Sequence, residues 1–168
     1  DGVLELGGVD LTDPASAQAA IDAVVARFGR LDALLNIAGG FVWQTTDDAD
    51  PAWEKMFRLN LTTALNASRA ALPHLKTSAE GRIVNVGANA AIRSAAGMGA
   101  YAASKAGVHR LTESLAEELK GAGRRATASS TEVEVDGLLE KINRDKDGNV
   151  VSVVVDGLTI NVEALTEL

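Results

Sequence analysis

Arg82-Ile83-Val84-Asn85-Val86 is a short, β-branched apolar run, and from Gly99-Ala100 it is followed by helical spacing through Val108, Leu111 and Leu115 to about Lys120. A buried strand feeding a long amphipathic helix reads as one βα unit. Working upstream, Ala33-Leu34-Leu35-Asn36-Ile37 is entered from Asp32 and ends in Ala38-Gly39-Gly40. It reads as a strand buried on both faces, with Asn36 its polar interruption. Between the two runs, Asp50-Pro51 signals a helix start, and Trp53, Met56, Phe57, Leu61 and Leu65 carry an apolar stripe toward Leu72-Pro73. Asp13-Pro14 gives the same start signal, Ile21, Val24, Val25 and Phe28 follow at helical spacing, and Gly29 closes that helix. Val3-Leu4-Glu5-Leu6 reads as a strand before it. The order β-α-β-α-β-α predicts an α/β core, a parallel sheet with right-handed crossovers.

Downstream the text changes. All six aromatic residues and all three prolines lie at or before Tyr101, and from residue 126 onward nine acids face only Lys141, Arg144 and Lys146. Most of the net charge of -7 therefore sits in the last quarter. The seam, residues 122–131, is small and polar and reads as a linker or loop. The expected division is residues 1–125 as a core and 126–168 as an acidic β-rich segment. Asp147-Gly148 and Asp156-Gly157 are turn signals around the run Val150 to Val155, which predicts two or three antiparallel strands.

Composition narrows the function. With 46% apolar residues the chain holds a core, and an acidic balance argues against a nucleic-acid surface, which needs clustered Lys and Arg. No cysteine is present, so there is no disulfide framework and no thiolate metal site; this fits a reducing, cytoplasmic setting. No run approaches the roughly 20 apolar residues of a membrane span, and no charged-then-apolar leader opens the text. Asn143 to Asp147 copies the first half of a calcium loop, but Val154 stands where a bidentate Glu is needed, so a hairpin turn is the better reading. His74 and His109 lack ligand spacing and read as helix-surface residues, Asp47, Asp48 and Asp50 as a solvated helix-initiating cluster. No metal site is expected.

Tyr101 and Lys105 lie four apart on the last helix, so their side chains share a face. A phenol titrates near 10, and an adjacent ammonium favours phenolate and lowers that value, which makes the pair useful for proton transfer. Spacing alone is ordinary. Its context is not: Asp10-Leu11-Thr12, Asn36-Ile37-Ala38-Gly39, Leu59-Asn60-Leu61, Gly81 to Val86 and Tyr101-Ala102-Ala103-Ser104-Lys105 stand in this order. In order, spacing and text they resemble the short-chain dehydrogenase/reductase family over roughly residues 2–122. The resemblance implies a truncated Rossmann-like three-layer core and an oxidoreductase that moves a hydride between NAD or NADP and a carbonyl or quinonoid substrate. It implies Tyr101 as catalytic acid/base, Lys105 as the residue that holds the nicotinamide ribose and lowers the phenol pKa, and Asn60 as the holder of a relay water. Asp10 and Leu11 match the pair lining the adenine, and Asn36, Ala38 and Gly39 the motif beside the cofactor. Helices matching Pro51 to Leu72 and Ala100 to Lys120 build the family's oligomer interface, so a homo-oligomer is implied.

Three departures accompany the resemblance. Ala88 stands thirteen residues before Tyr101, where the family carries a catalytic serine; the text around it resembles the branch that lacks this serine, the dihydropteridine reductases. The family's glycine-rich phosphate turn is absent, and Gly7-Gly8 is not that motif. This leaves the strand expected at Val3 to Leu6 without its usual neighbours, and it allows the alternative of a catalytically inactive, truncated or chimeric scaffold or interaction module. After Arg125 the family's later strands are not legible, and the tail loosely resembles the small β module of flagellar hook-capping proteins.

Overall fold

The computed structural model describes residues 2–48, 52–119, 125–129, 139–144, 150–155 and 158–161. The chain divides into two compact units, Asp1–Val133 and Glu134–Leu168. In the first, helix α1 (Pro14–Phe28) begins where Asp13 accepts hydrogen bonds from the N–H groups of Ala15 and Ser16, with Pro14 in the first turn. It ends at Gly29, whose left-handed backbone (φ 77°) returns its N–H to Val25 O at 2.8 Å. Strand β1 (Ala33–Asn36) follows. A helical stretch then comes in three pieces: α2 (Ala52–Met56), a π-helical turn (Phe57–Thr62) and α3 (Thr63–Thr77). Strand β2 (Arg82–Val86), a 3₁₀ turn (Asn89–Ala91), α4 (Gly99–Leu119) and β3 (Arg125–Ser129) complete the unit.

The sheet order is β1-β2-β3, parallel throughout, as the alternation of strands and helices predicts. Leu34 pairs with Ile83 and Asn36 with Asn85, so these four residues share one face. On that face Ile83, Ile21 of α1, Ala70, Ala71 and Leu75 of α3, and Leu115 and Leu119 of α4 form the buried core, with Leu34 packed against it. All three long helices therefore cover one side of the sheet. Two of the three layers expected of this fold are present among the described residues.

Small residues set the helix distances. Ala64, Ala67, Ala70 and Ala71 of α3 are all buried, which lets the helix axis approach the sheet and α1 closely. Buried polar side chains fill the seam this leaves. Asn36 Nδ2 donates to Asn85 Oδ1 (2.7 Å) and Ser68 Oγ (3.1 Å), and Asn85 Nδ2 donates to Thr112 Oγ1 (2.8 Å). Thr112 Oγ1 in turn donates to Val108 O at 2.7 Å. One chain of hydrogen bonds thus stitches β1, β2, α3 and α4 together.

Several expectations change. Val3 to Leu6 is not a strand: it has no ladder partner among the described residues, and Val3 and Leu6 are exposed. An isolated apolar run has no hydrogen-bonding neighbour to hold it extended. Strand β1 is half-buried rather than buried on both faces, because among the described residues it pairs only with β2 and its helices lie on one side. The stripe read from Trp53 to Leu65 is not one core face. Met56 is buried, but Trp53 and Phe57 are exposed, so the residues that open this stretch do not share one buried face. The helix also runs past Pro73 to Thr77. Residues 125–129, inside the seam read as a loop, are β3, the third parallel strand.

In the second unit β4 (Leu139–Arg144), β5 (Val150–Val155) and β6 (Leu158–Asn161) form an antiparallel sheet in the order β4-β5-β6. The turns read at Asp147-Gly148 and Asp156-Gly157, the middle of the calcium-like loop, and the helix start at Asp50-Pro51 lie outside the described residues.

Asn85 is fully buried at the centre of the polar seam. Asn85→Ala is expected to strand the amide of Asn36 and the hydroxyl of Thr112 and lower stability by about 1–3 kcal/mol, read from urea unfolding followed by circular dichroism.

Candidate active site

Parallel strands in register end on the same edge, so the segments after β1 (from Ile37) and β2 (from Gly87) emerge side by side, and α4 begins next to them. In such sheets this carboxyl edge is where ligands bind. Gly39 is the tightest point. A Cβ there would lie 2.6 Å from Asn60 Oδ1 and 3.5 Å from Lys105 Nζ, so only glycine lets the strand end, the π turn and α4 meet. Asn60 Oδ1 accepts the Gly40 N–H at 2.8 Å, and its Nδ2 donates to Gly40 O at 3.0 Å. That same Nδ2 donates to Ser104 Oγ at 2.9 Å, and Ser104 Oγ donates to Tyr101 O at 2.7 Å. The Asn60 amide is thereby saturated, and it acts as a clamp between Gly40 and the first turn of α4.

Lys105 is only 6% exposed, and its Nζ donates to Val86 O, the last residue of β2, at 2.8 Å. Burial holds its pKa below the ordinary lysine value. Tyr101 is half-buried, one helical turn away, with the Phe41 ring edge-on to it at 5.0 Å and 87°. Burial pushes the phenol pKa above 10.0. Burial is the one cause acting on the phenol here, and it works against the lowering that the lysine is expected to give. Ala88, at the position where the resembled family carries a serine, is buried and caps the 3₁₀ turn.

The structure brings Tyr101, Lys105, Asn60 and Gly39 together. Ala38 is exposed beside Gly39. Asn36 points instead into the core, bonded to Asn85 and Ser68. Asp10 is exposed, its Oδ1 accepting both the N–H and the hydroxyl of Thr12, which hold its carboxyl below the usual range. Leu11 O and Thr12 O accept from Asn66 Nδ2 at 3.0 and 3.1 Å, anchoring this turn to α3. Sequence reasoning passed over Ser104, Asn66 and Phe41. Ser104 stood inside the quoted text, but a serine on a helix carries no signal of its partner. His109, read as a surface residue, has a buried Nε2 without a hydrogen-bond partner, and burial lowers its pKa. Among the described residues no group of His, Cys, Asp and Glu is arranged to hold a metal, and no helix is long and apolar enough to cross a membrane.

Comparison with known proteins decides the family. Residues 5–154 match the short chain dehydrogenase family. This chain belongs to it. The match runs beyond residue 125 into the acidic tail. A short-chain dehydrogenase/reductase of Talaromyces verruculosus is 38% identical over 141 residues, 82% of this chain and 54% of that protein. A trans-4-hydroxycyclohexanecarboxylate dehydrogenase of Sinomonas cyclohexanicum is 39% identical over 112 residues, covering 66% of this chain and 43% of that protein. The crystal structure of a gluconate 5-dehydrogenase from Burkholderia cenocepacia, in complex with NADP and tartrate, superposes with a TM-score of 0.69 at 29% identity, covering 72% of this chain and 48% of that one. The chain spans about half the length of the relatives it matches.

The Lys105 shift has a consequence for stability. A lysine whose folded pKa lies below its unfolded value opposes folding while protonated, and the opposition fades as pH rises through the folded pKa toward 10.5. Wild type is therefore expected to gain stability relative to Lys105→Met as pH is raised from neutral toward that value, in urea titrations at a series of pH values. Tyr101 is common to both proteins, so its opposite alkaline effect cancels to first order. A stability difference that stays constant with pH would contradict the burial of the charge.

Proposed function

We propose that this chain carries the proton-transfer half of an NAD- or NADP-dependent oxidoreductase acting on a carbonyl or quinonoid substrate, with Tyr101 as the acid/base. The observation that carries the reading is the buried Lys105 ammonium, held on Val86 O one helical turn from Tyr101 and beside the close approach at Gly39. The residues present fit the nicotinamide-ribose end of such a cofactor. Lys105 has three N–H donors and directs one to Val86 O, and the bare Gly39 backbone lets its ammonium sit against the strand end. Asp10 and Leu11, on a turn anchored by Asn66, would face the adenine end. When bound, the cofactor supplies the hydride. Tyr101 supplies or takes the proton at its hydroxyl, Lys105 fixes the ribose, and Asn60 holds the Gly40 peptide and the start of α4 in place. Support comes from the family and from relatives whose names record action on a cyclohexane alcohol and binding of NADP.

A second reading, a catalytically silent scaffold, is favoured by Ala88, because losing a hydrogen-bond donor to a developing oxyanion costs roughly 3–4 kcal/mol of barrier. Calorimetric titration with NADH and NADPH separates the two. The first reading expects roughly micromolar binding, weakened about tenfold or more by Lys105→Ala and unchanged by Tyr101→Phe. Tyr101→Phe is then expected to cut ketone reduction, followed by nicotinamide absorbance, by roughly 10²–10⁴. No heat up to millimolar cofactor would leave the scaffold reading standing.

Self-association through the helices at Pro51 to Leu72 and Ala100 to Lys120 belongs to the same proposal. Trp53 and Phe57, exposed on that first helical stretch, supply apolar surface for it. Light scattering is expected to give a dimer or larger, and Trp53→Glu to dissociate it; a monomer at high concentration would contradict it.

A further inference from the structure

Resting on the oxidoreductase reading, we infer that the substrate enters as a hydrocarbon ring, an alicyclic or aryl ketone, and that Phe41 and Trp43 are the residues that select it. The two segments leaving the carboxyl edge are Ile37-Ala38-Gly39-Gly40-Phe41-Val42-Trp43 and Val86-Gly87-Ala88-Asn89-Ala90-Ala91-Ile92. Across these fourteen residues Asn89 is the one polar side chain, and none is ionisable. Large apolar groups stand out from them: Phe41 is 49% exposed, Trp43 62% and Ile92 71%.

Phe41 is the group nearest the chemistry, its ring edge-on to the Tyr101 ring. Trp43 is held where it is by the second segment's continuation. Gln44 N–H bonds to Gly97 O at 2.8 Å, and the indole lies directly over Gly97, whose φ of 75° and lack of a side chain make room for it. The two loops are therefore tied together, with Phe41 against the Tyr101 ring and Trp43, two residues on, over Gly97.

Such a mouth discriminates by what it cannot offer. A sugar-like ring brings several hydroxyls, each of which must exchange water for a protein partner, and side chains here present almost none. A hydrocarbon ring gives up no hydrogen bonds and removes Phe41 and Trp43 from water. The substrate's single oxygen is then left to Tyr101, and residue 88, an alanine, offers it no side-chain donor.

The test uses the 168-residue chain with Trp53→Phe, so that Trp43 is its sole indole. It is titrated without nicotinamide, once with decalone and once with a keto-inositol, while Trp43 emission is recorded. Decalone is expected to give a saturable blue shift, and the keto-inositol, with its hydroxyls unpaired, to bind at least about tenfold more weakly. Phe41→Ala is expected to weaken decalone about fivefold or more, and Phe41→Leu, which keeps apolar area, to restore much of it. Equal response to both ketones, no saturable shift, or indifference to Phe41→Ala would overturn the inference. Because no cofactor is present, these failures leave the nicotinamide result untouched. Conversely, decalone binding in a chain that takes no nicotinamide would remove the redox reading and leave the ring preference.

Discussion

The close approach at Gly39 is the constraint on which the rest of the site depends. Three elements from distant parts of the chain converge there: the end of β1, the π turn carrying Asn60, and α4 with Lys105. None could meet the others if residue 39 carried a side chain. With the Cβ gone, the Asn60 amide reaches both backbone groups of Gly40 and still touches Ser104. The π turn contributes its own part, since one extra residue per turn shifts the helix phase and allows Asn60 to face inward while Phe57 faces out. The local cost of a π turn is offset by a fully satisfied buried amide.

The same logic governs the interior. This core is not a mass of large aliphatic side chains; its helices present alanines, and its centre is crossed by Asn36, Asn85, Ser68 and Thr112. Such a seam tolerates no loose ends, because a buried amide without a partner costs more than a paired one gains. What it supplies in return is registry. Each hydrogen bond in it names a particular neighbour, so β1 and β2 hold one alignment, and that alignment sets where Val86 O ends and hence where Lys105 is held.

What could be read in the sequence divides along the range of the forces involved. Helix α1 was legible from Asp13-Pro14 and Gly29 because caps are local, and β1, β2 and α4 were legible because periodicity is local. The pairing of Tyr101 with Lys105 needed only helical spacing, and the inclusion of Asn60 needed the family resemblance. The misreadings involve the environment. Val3 to Leu6 has strand-like residues but no neighbour to pair with, whereas Arg125–Ser129, written in Arg-Ala-Thr-Ala-Ser, looks like a linker and is a strand because β2 offers it an edge. The apolar stripe after Asp50 failed at Trp53 and Phe57, which are exposed although Met56 between them is buried, because helical spacing does not say whether a neighbour covers an apolar side chain. The burial of Tyr101 and Lys105 was out of reach for a similar reason: helical spacing puts the two groups on one face and says nothing of the water each loses.

That burial bears on the way the proposed chemistry runs. A phenol whose pKa lies above 10.0 is almost wholly protonated at neutral pH, so Tyr101 stands ready as a proton donor and poorly prepared as a base. Oxidising an alcohol would require phenolate first, formed in the same low-polarity surroundings that raised its pKa. Reducing a carbonyl asks only that the existing proton move to an oxygen whose basicity grows as negative charge develops on it. With a methyl at Ala88 there is no second side-chain donor at that position to share this charge, so the Tyr101 hydroxyl carries more of the stabilisation, and it does so best when it begins protonated. Burial of Tyr101 and the methyl at Ala88 together make that hydroxyl the group on which the proposed carbonyl reduction depends; the reverse reaction passes through the same transition state and needs the same group as phenolate.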